Sequence, residues 1–179
     1  WQPVLAVSKS AAPAGGDTVL GAGELVTYTV NIVNTGNAPA YNTELQDILP
    51  VGMRNATPVT VSVTLVNAGT VLPVLAPSYN STTGIATWNF VSDVAGQYAI
   101  PAAETLRLVY RAQADASLAP GLVLANRAQV QHYYSLDAAD ANAAFRKDYG
   151  ASAIATVQLT TAAATALSAR SWAQVPGAN

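Results

Sequence analysis

Apolar and polar residues alternate along most of this chain. Val26, Tyr28, Val30 and Ile32 alternate with Thr27, Thr29 and Asn31. Val59, Val61, Val63 and Leu65 alternate with Thr60, Ser62 and Thr64, and Leu106, Leu108, Tyr110 and Ala112 alternate with polar or small residues. Side chains two apart on a strand face the same way, so each run predicts a strand with one buried face. Shorter runs predict strands over 4–8, 40–49, 70–75, 85–90 and 153–160. Turn chemistry lies between them: Ala14-Gly15-Gly16-Asp17, Asn34-Thr35-Gly36-Asn37, Pro50-Val51-Gly52, Ser81-Thr82-Thr83-Gly84 and Pro120-Gly121. About eight or nine short strands punctuated this way predict an all-β chain folded as a β-sandwich. The sandwich is expected over residues 1–161, with 162–179 as a C-terminal extension. Residues 136–150 fit either a short helix or an ordered loop, and the alanine-rich 162–169 fits strand or helix.

Three polar residues break the alternation. Lys9 is in phase with Leu5 and Val7, and Asp47 with Leu45 and Leu49; Asn126 is in phase with Leu122, Leu124, Ala128 and Val130. All three are therefore expected to point inward, where each is costly alone and a charge needs a partner. If they meet, the lysine amine can attack the asparagine carboxamide while the carboxylate moves protons, and an amide forms with loss of ammonia. Burial favours the neutral amine and protonated carboxyl that this needs. Trp88, Phe90 and Tyr28 are candidates for the apolar lining. Two simpler arrangements use the same residues: a buried Lys9–Asp47 ion pair with Asn126 hydrogen-bonded nearby, or Lys9 at a strand end with its amine reaching water.

Composition narrows the function classes. The chain has 179 residues, enough for one domain with a substantial core. Only 10% of residues are charged, against roughly a quarter in an average domain, and the net charge is −2. A surface this neutral associates easily, and it has no electrostatic footprint for nucleic acid. No run of about twenty apolar residues predicts a membrane span. The absence of cysteine rules out disulfides and thiolate metal sites. The chain begins at Trp1 and reads as a processed mature form or an excised fragment.

Two segments, "LAVSKSAAP" and "GAGELVTYTVNIVNTGNAPAYNTELQDILPVGM", together resemble a prokaryotic surface-protein repeat. In that repeat a lysine strand precedes Gly-Asp-x-Val-x-Tyr, Asn-x-Gly and Asp-x-Leu-Pro. The matching residues are Lys9, Gly23, Val26, Tyr28, Asn34, Gly36, Asp47, Leu49 and Pro50, and "GIATWNF", "RLVYRAQAD" and "LANRAQV" resemble its later strands. The resemblance covers about residues 4–134. It departs at Glu24, where the family favours aspartate, in an insert over 67–81, and beyond Tyr134. It implies an immunoglobulin-like sandwich on cell-surface proteins, adhesins and pilus-like structures. It also implies, from related fimbrial modules, an isopeptide cross-link between Lys9 and Asn126 with Asp47 as its autocatalytic residue.

Other motifs carry less chemistry. His132 shares a face with Val130 in the alternation and has no Cys or second His to build a metal site, so a structural role is expected. No Gly-x-Ser-x-Gly elbow, cofactor loop or nucleophile–base pair is legible, and no enzyme or cofactor is expected. Asp137, Asp140 and Asp148, with Asn142, are oxygen ligands at loop spacing for calcium, but they lack the Asp-x-Asp-x-Asp-Gly order, which favours a solvated loop. Asn55 and Asn80 begin the two Asn-x-Ser/Thr glycosylation sequons. The combined expectation is a non-enzymatic, extracellular structural protein: a subunit of a cell-surface filament, sheath or lattice whose partners are copies of itself. The tail 162–179, with Leu167, Trp172 and Val175, is expected to dock on a neighbouring subunit, with the 1–4 segment as the other connector. The second expectation is a ligand-binding or stalk module of a large adhesin, recognising a surface glycan or a host protein.

Overall fold

Period-two alternation becomes strand wherever one face finds a core. The computed structural model describes residues 1–163. Within them run β1 (Leu5–Pro13), β2 (Val19–Leu20), β3 (Leu25–Asn34), β4 (Tyr41–Ile48), β5 (Val59–Leu65), β6 (Thr70–Leu72), β7 (Ser78–Asn80), β8 (Ile85–Asn89), β9 (Thr105–Gln113), β10 (Val123–Tyr134) and β11 (Ala155–Thr161). One sheet has the order β1-β3-β9-β5-β6 and the other β2-β11-β10-β4-β8-β7. Every pairing is antiparallel except β2 with β11. The two sheets face each other as an immunoglobulin-like sandwich, as expected.

The core follows the alternation in β3 and β9, but in β5 a register shift between Thr60 and Ser62 buries Thr60 and leaves Val59 and Val61 exposed, against the expected face. Val26, Tyr28, Val30 and Ile32 of β3 lie opposite Ala112, Tyr110, Leu108 and Leu106 of β9, and all are buried. The facing sheet contributes Leu45, Trp88, Leu124, Ala128 and Val130. Asp47 sits among small neighbours, with Ala128 of β10 on one side and Ala86 of β8 on the other. Those methyl groups leave room around the carboxylate for a long side chain from the opposite sheet.

The structure corrects several boundaries. It has eleven strands among the described residues; the two unforeseen ones, β2 and β7, are too short to show a period. β1 extends past Ser8 to Pro13, because Ser10, Ala11 and Ala12 give no apolar contrast to read. β6 stops before Pro73, which has no N–H for the ladder. Residues 136–150 form a loop with a single 3-10 turn at Ala143–Phe145. The docking role expected of the tail falls almost wholly on residues 164–179, outside the described residues.

The start of β1 is pinned by a close approach. Val4 N–H donates to Asn34 Oδ1 at 3.2 Å, and the Thr35 and Asn37 N–H groups donate to Val4 and Gln2 carbonyls at 2.8 and 3.0 Å. A Cβ on Gly36 would collide with the Gln2 carbonyl, so glycine is needed where the two segments touch. This anchoring fixes the register that brings Lys9 opposite Val30.

Candidate functional site

β1 and β9 belong to one sheet, and β4 and β10 to the other. Each sends one polar side chain inward at the same level. Lys9 Nζ pairs with Asp47 Oδ2 and donates to Tyr110 Oη at 2.7 Å. Asn126 Nδ2 donates to the same Tyr110 oxygen at 3.1 Å. The Lys9 and Asp47 side chains are both 0% exposed, and Asn126 is buried. The three residues singled out by phase are thus brought together, with a fourth that the alternation hid. Tyr110 reads as one more apolar member of the Leu106–Leu108 face. The only available signal was that a buried phenol hydroxyl usually needs a partner.

The lining is aromatic. Tyr28 and Tyr110 stack with centroids 5.2 Å apart, and Trp88 packs on Tyr110 at 5.0 Å. Lys9 Nζ lies 4.5 Å from the Tyr28 ring centre and 4.8 Å from that of Tyr110. Phe90 is buried but packs on Tyr98 instead. Tyr28 Oη closes the far side against Met53 Sδ at 3.3 Å.

Electrostatics here set burial against pairing. Burial lowers the pKa of Lys9, and the attraction of Asp47 opposes it without overcoming it. Burial likewise raises that of Asp47, against the charge and hydrogen bond of Lys9, with smaller opposition from Tyr110 and Asn126. Both shifts favour passing the proton from amine to carboxyl. The ring faces favour the ammonium form, but desolvation is the largest influence on both groups. Burial also raises the phenols of Tyr28 and Tyr110, so both stay neutral. Asp47 Oδ1 and Asn126 Oδ1 are buried acceptors with no hydrogen-bond partner among the described residues. Such orphans are uncommon in folded proteins.

The remaining sequence candidates lie apart from this cluster. His132 does not share the Val130 face. A register shift between them turns it outward, where its Nδ1 is 2.8 Å from Asp148 Oδ2 with both side chains about half exposed. The carboxylates considered for calcium serve separate turns. Asp137 accepts from Gly96 and Ala139 N–H, Asp140 from Asn142 N–H, and Asp148 from Gly150 N–H and His132. No group of three such side chains converges among the described residues. Asn55 and Asn80 are both exposed, and Asn80 Oδ1 accepts from Thr82 and Thr83 N–H. No helix among the described residues is long and apolar enough to cross a membrane.

No protein-family model matches the chain, the surface-protein repeat included. No curated protein matches it in sequence. Solved structures do match. The full-length major pilin SpaD of Corynebacterium diphtheriae aligns with a TM-score of 0.56 at 14% identity, over 85% of this chain and 35% of the pilin. The chain therefore spans about a third of that protein. AvmM, which catalyses macrocyclization in alchivemycin A biosynthesis, aligns with a TM-score of 0.50 at 11% identity, over 89% and 90% of the two chains. The collagen-binding domain of a Staphylococcus aureus adhesin aligns with a TM-score of 0.47 at 10% identity, over 87% and 97%. At these identities the likeness concerns the fold, and a pilin and an enzyme both matching means that fold alone does not assign an activity.

Proposed function

We propose that this chain is a structural module of an extracellular, cell-surface polymer of its own copies, locked by an internal amide between Lys9 Nζ and Asn126 Cγ. The observation that carries this reading is the sealed meeting of Lys9, Asp47, Tyr110 and Asn126, with two acceptor oxygens left without donors. A proton on Asp47 turns one orphan acceptor into a donor, and Asn126 Oδ1 is the acceptor still lacking one. A hydrogen bond from one to the other would polarise the carboxamide for attack.

The step balances without a cofactor. Lys9 passes its ammonium proton to Asp47. The neutral amine attacks Asn126 Cγ, and the carbonyl π pair moves onto Oδ1. Asp47 delivers its proton to Nδ2 and then takes up the next proton that Nζ sheds. The Cγ–Nδ2 bond breaks, ammonia leaves and the amide remains. The linked residues bracket β2 to β9, so a pull on the two ends passes through the bond and spares the strands between. A module under tension in a surface filament needs this property, and it needs it all the more without disulfides.

Support for the polymer comes from the likeness to a pilin and from the low charge of the chain. The non-enzymatic reading rests on the same likeness. The adhesin reading shares the cross-link and differs in assembly. Intact mass tests the bond: it should fall short of the sequence mass by one ammonia. Negative-stain microscopy of the same sample tests the polymer. Fibres or sheets support it, and a protein that stays monomeric at every concentration favours a stalk or binding module.

A further inference from the structure

Strand β10 changes face near its end. Its pairing with β4 runs regularly to Val130↔Leu45, then shifts to His132↔Glu44 and again to Tyr134↔Tyr41. The shift buries Tyr133 and turns His132 out. Bulges of this kind re-aim side chains and often border sites. On β4, Asn42 adopts a φ of +46°, a left-handed conformation that asparagine tolerates better than most residues. Its Oδ1 accepts from Ala138 N–H at 2.7 Å and from Arg146 Nη1 at 3.4 Å. Those bonds draw the 135–150 loop over the end of the sheet.

A recess of about 260 Å³ results, lined chiefly by Asn42, Glu44, Asn89, His132, Tyr134 and Arg146. His132, Glu44 and Asn89 form a row in register across β10, β4 and β8. Neighbours in such a row stand about 5 Å apart. His132 Nδ1 is tied to Asp148, which leaves Nε2 for another partner. Glu44 Oε1 accepts from Gln46 at 3.2 Å, and Oε2 accepts no hydrogen bond among the described residues. The Asn89 side chain makes no hydrogen bond among the described residues. Arg146 is already engaged, by Asn42 and by the Tyr134 ring face at 4.2 Å.

We propose that this recess binds one ring of a neutral saccharide. Sugar hydroxyls each donate and accept. A carboxylate flanked by an amide and an imidazole meets both needs, at a spacing that serves adjacent hydroxyls. Val91, half exposed on the rim, offers apolar surface to the C–H face of a ring. The volume lies just under the about 300–1,000 Å³ usual for small-molecule sites and suits a single ring. An acidic sugar or a phosphate is disfavoured, because Glu44 and Asp148 are negative and the one guanidinium present is occupied. The site is on the outer face of its sheet and does not depend on the cross-link.

The test is a titration of 15N-labelled protein with the methyl glycosides of glucose, galactose, mannose and N-acetylglucosamine, with glucuronate as the acidic control. At least one neutral glycoside should shift the resonances of Glu44, Asn89 and His132 with a millimolar Kd. Glu44→Gln and Asn89→Ala should each weaken that binding about tenfold or more while melting like wild type, and glucuronate should bind at least tenfold more weakly. The proposal is overturned if no glycoside shifts these residues at tens of millimolar, if the variants bind as well as wild type, or if glucuronate binds equally.

Discussion

Asn126 and His132 lie on one strand, a few residues apart, and meet opposite fates. Asn126 stays in phase, enters the space between the sheets and joins Lys9, Asp47 and Tyr110 away from water. His132 follows the bulge, turns out and stands with Glu44 and Asn89 on the wet face. Both clusters set a carboxylate beside nitrogen-bearing side chains. Inside, burial lowers the Lys9 pKa, raises that of Asp47 and strands two acceptors, the setting in which the proposed amide would form. Outside, water satisfies the same groups, so they are fit for reversible binding and unfit for acylation. The side-chain types are similar; access to water separates their chemistry.

The sharpest way to break that contrast is to remove the inner carboxylate. Asp47→Ala abolishes proton transfer and leaves the Lys9 ammonium unpaired in the core. Breaking a buried pair costs about 3–5 kcal/mol. Losing a link that closes a loop of more than a hundred residues costs about 4–5 kcal/mol in the chain-entropy model. Intact mass should return to the full sequence value, and the melting temperature should show the largest fall of any variant here. A mass still short by one ammonia would show that Asp47 is not needed. Lys9→Met removes the link without stranding a cation, since Asp47 can protonate. Its loss should be smaller, about 4–5 kcal/mol by chemical denaturation. Equal midpoints for Lys9→Met and wild type would mean that no link is present.

The inner cluster was legible in the sequence because it obeys the period. Lys9, Asp47 and Asn126 each fall on the apolar parity of a strand, and no bulge intervenes before they reach the core. Tyr110 obeys the same period and was missed, because tyrosine passes for an apolar core residue. The outer row was illegible for the converse reason. One register shift moved His132 off the face that Val130 predicts, and nothing in "QVQHYY" marks the bulge. Asn89 and Glu44 look like ordinary solvent positions until β8, β4 and β10 align them. The sandwich itself was readable from β3 and β9. Strand β5 was readable but its buried face was not, because a register shift between Thr60 and Ser62 buries Thr60 and exposes Val59 and Val61. The two- and three-residue strands β2 and β7 were not, because pairing partners rather than composition make them strands.

A pH series on Asn126→Ala probes what burial does when no amide can form. Lys9 and Asp47 then both titrate. Burial holds the Asp47 carboxyl above its ordinary value. As pH rises between the ordinary and the folded value, the unfolded chain loses this proton while the folded chain keeps it, so stability falls. Burial holds the Lys9 amine below its ordinary value. Between the folded value and about 10.4, the unfolded chain keeps a proton that the folded chain has lost, so stability climbs as pH rises. With the proposed amide in place, Lys9 of wild type cannot titrate, and the alkaline climb should vanish while the acid limb remains. Denaturation midpoints measured across pH check both limbs. An alkaline climb of equal size in wild type would show a free amine.

Tyr110→Phe asks a smaller question of the same cluster. The hydroxyl accepts from both Lys9 and Asn126 and holds amine and carboxamide in one geometry. Its loss leaves a buried donor unsatisfied, at about 1–3 kcal/mol, while Asp47 still carries protons. The bond should form, but more slowly. Freshly made variant should show a mixture of linked and unlinked masses that shifts towards the linked form with time. Complete linkage from the outset, with an unchanged denaturation midpoint, would remove the hydroxyl from any positioning role.

The smallest effect is expected outside. Glu44→Gln replaces one carboxylate oxygen by an amide on the outer row, an edit comparable in kind to changing Asp47. Glu44 is half-buried, in register with His132 and Asn89, and its one hydrogen bond among the described residues is from Gln46. A glutamine oxygen can accept that bond equally well, and water takes up the rest. Surface changes of this kind stay within about 0.5 kcal/mol. Thermal melts and denaturant midpoints should therefore overlay wild type, with cross-linking complete by mass. If Glu44→Gln instead destabilises the fold as a core change does, the row is part of the scaffold, and the contrast between a sealed reactive cluster and an open binding one fails at its outer half.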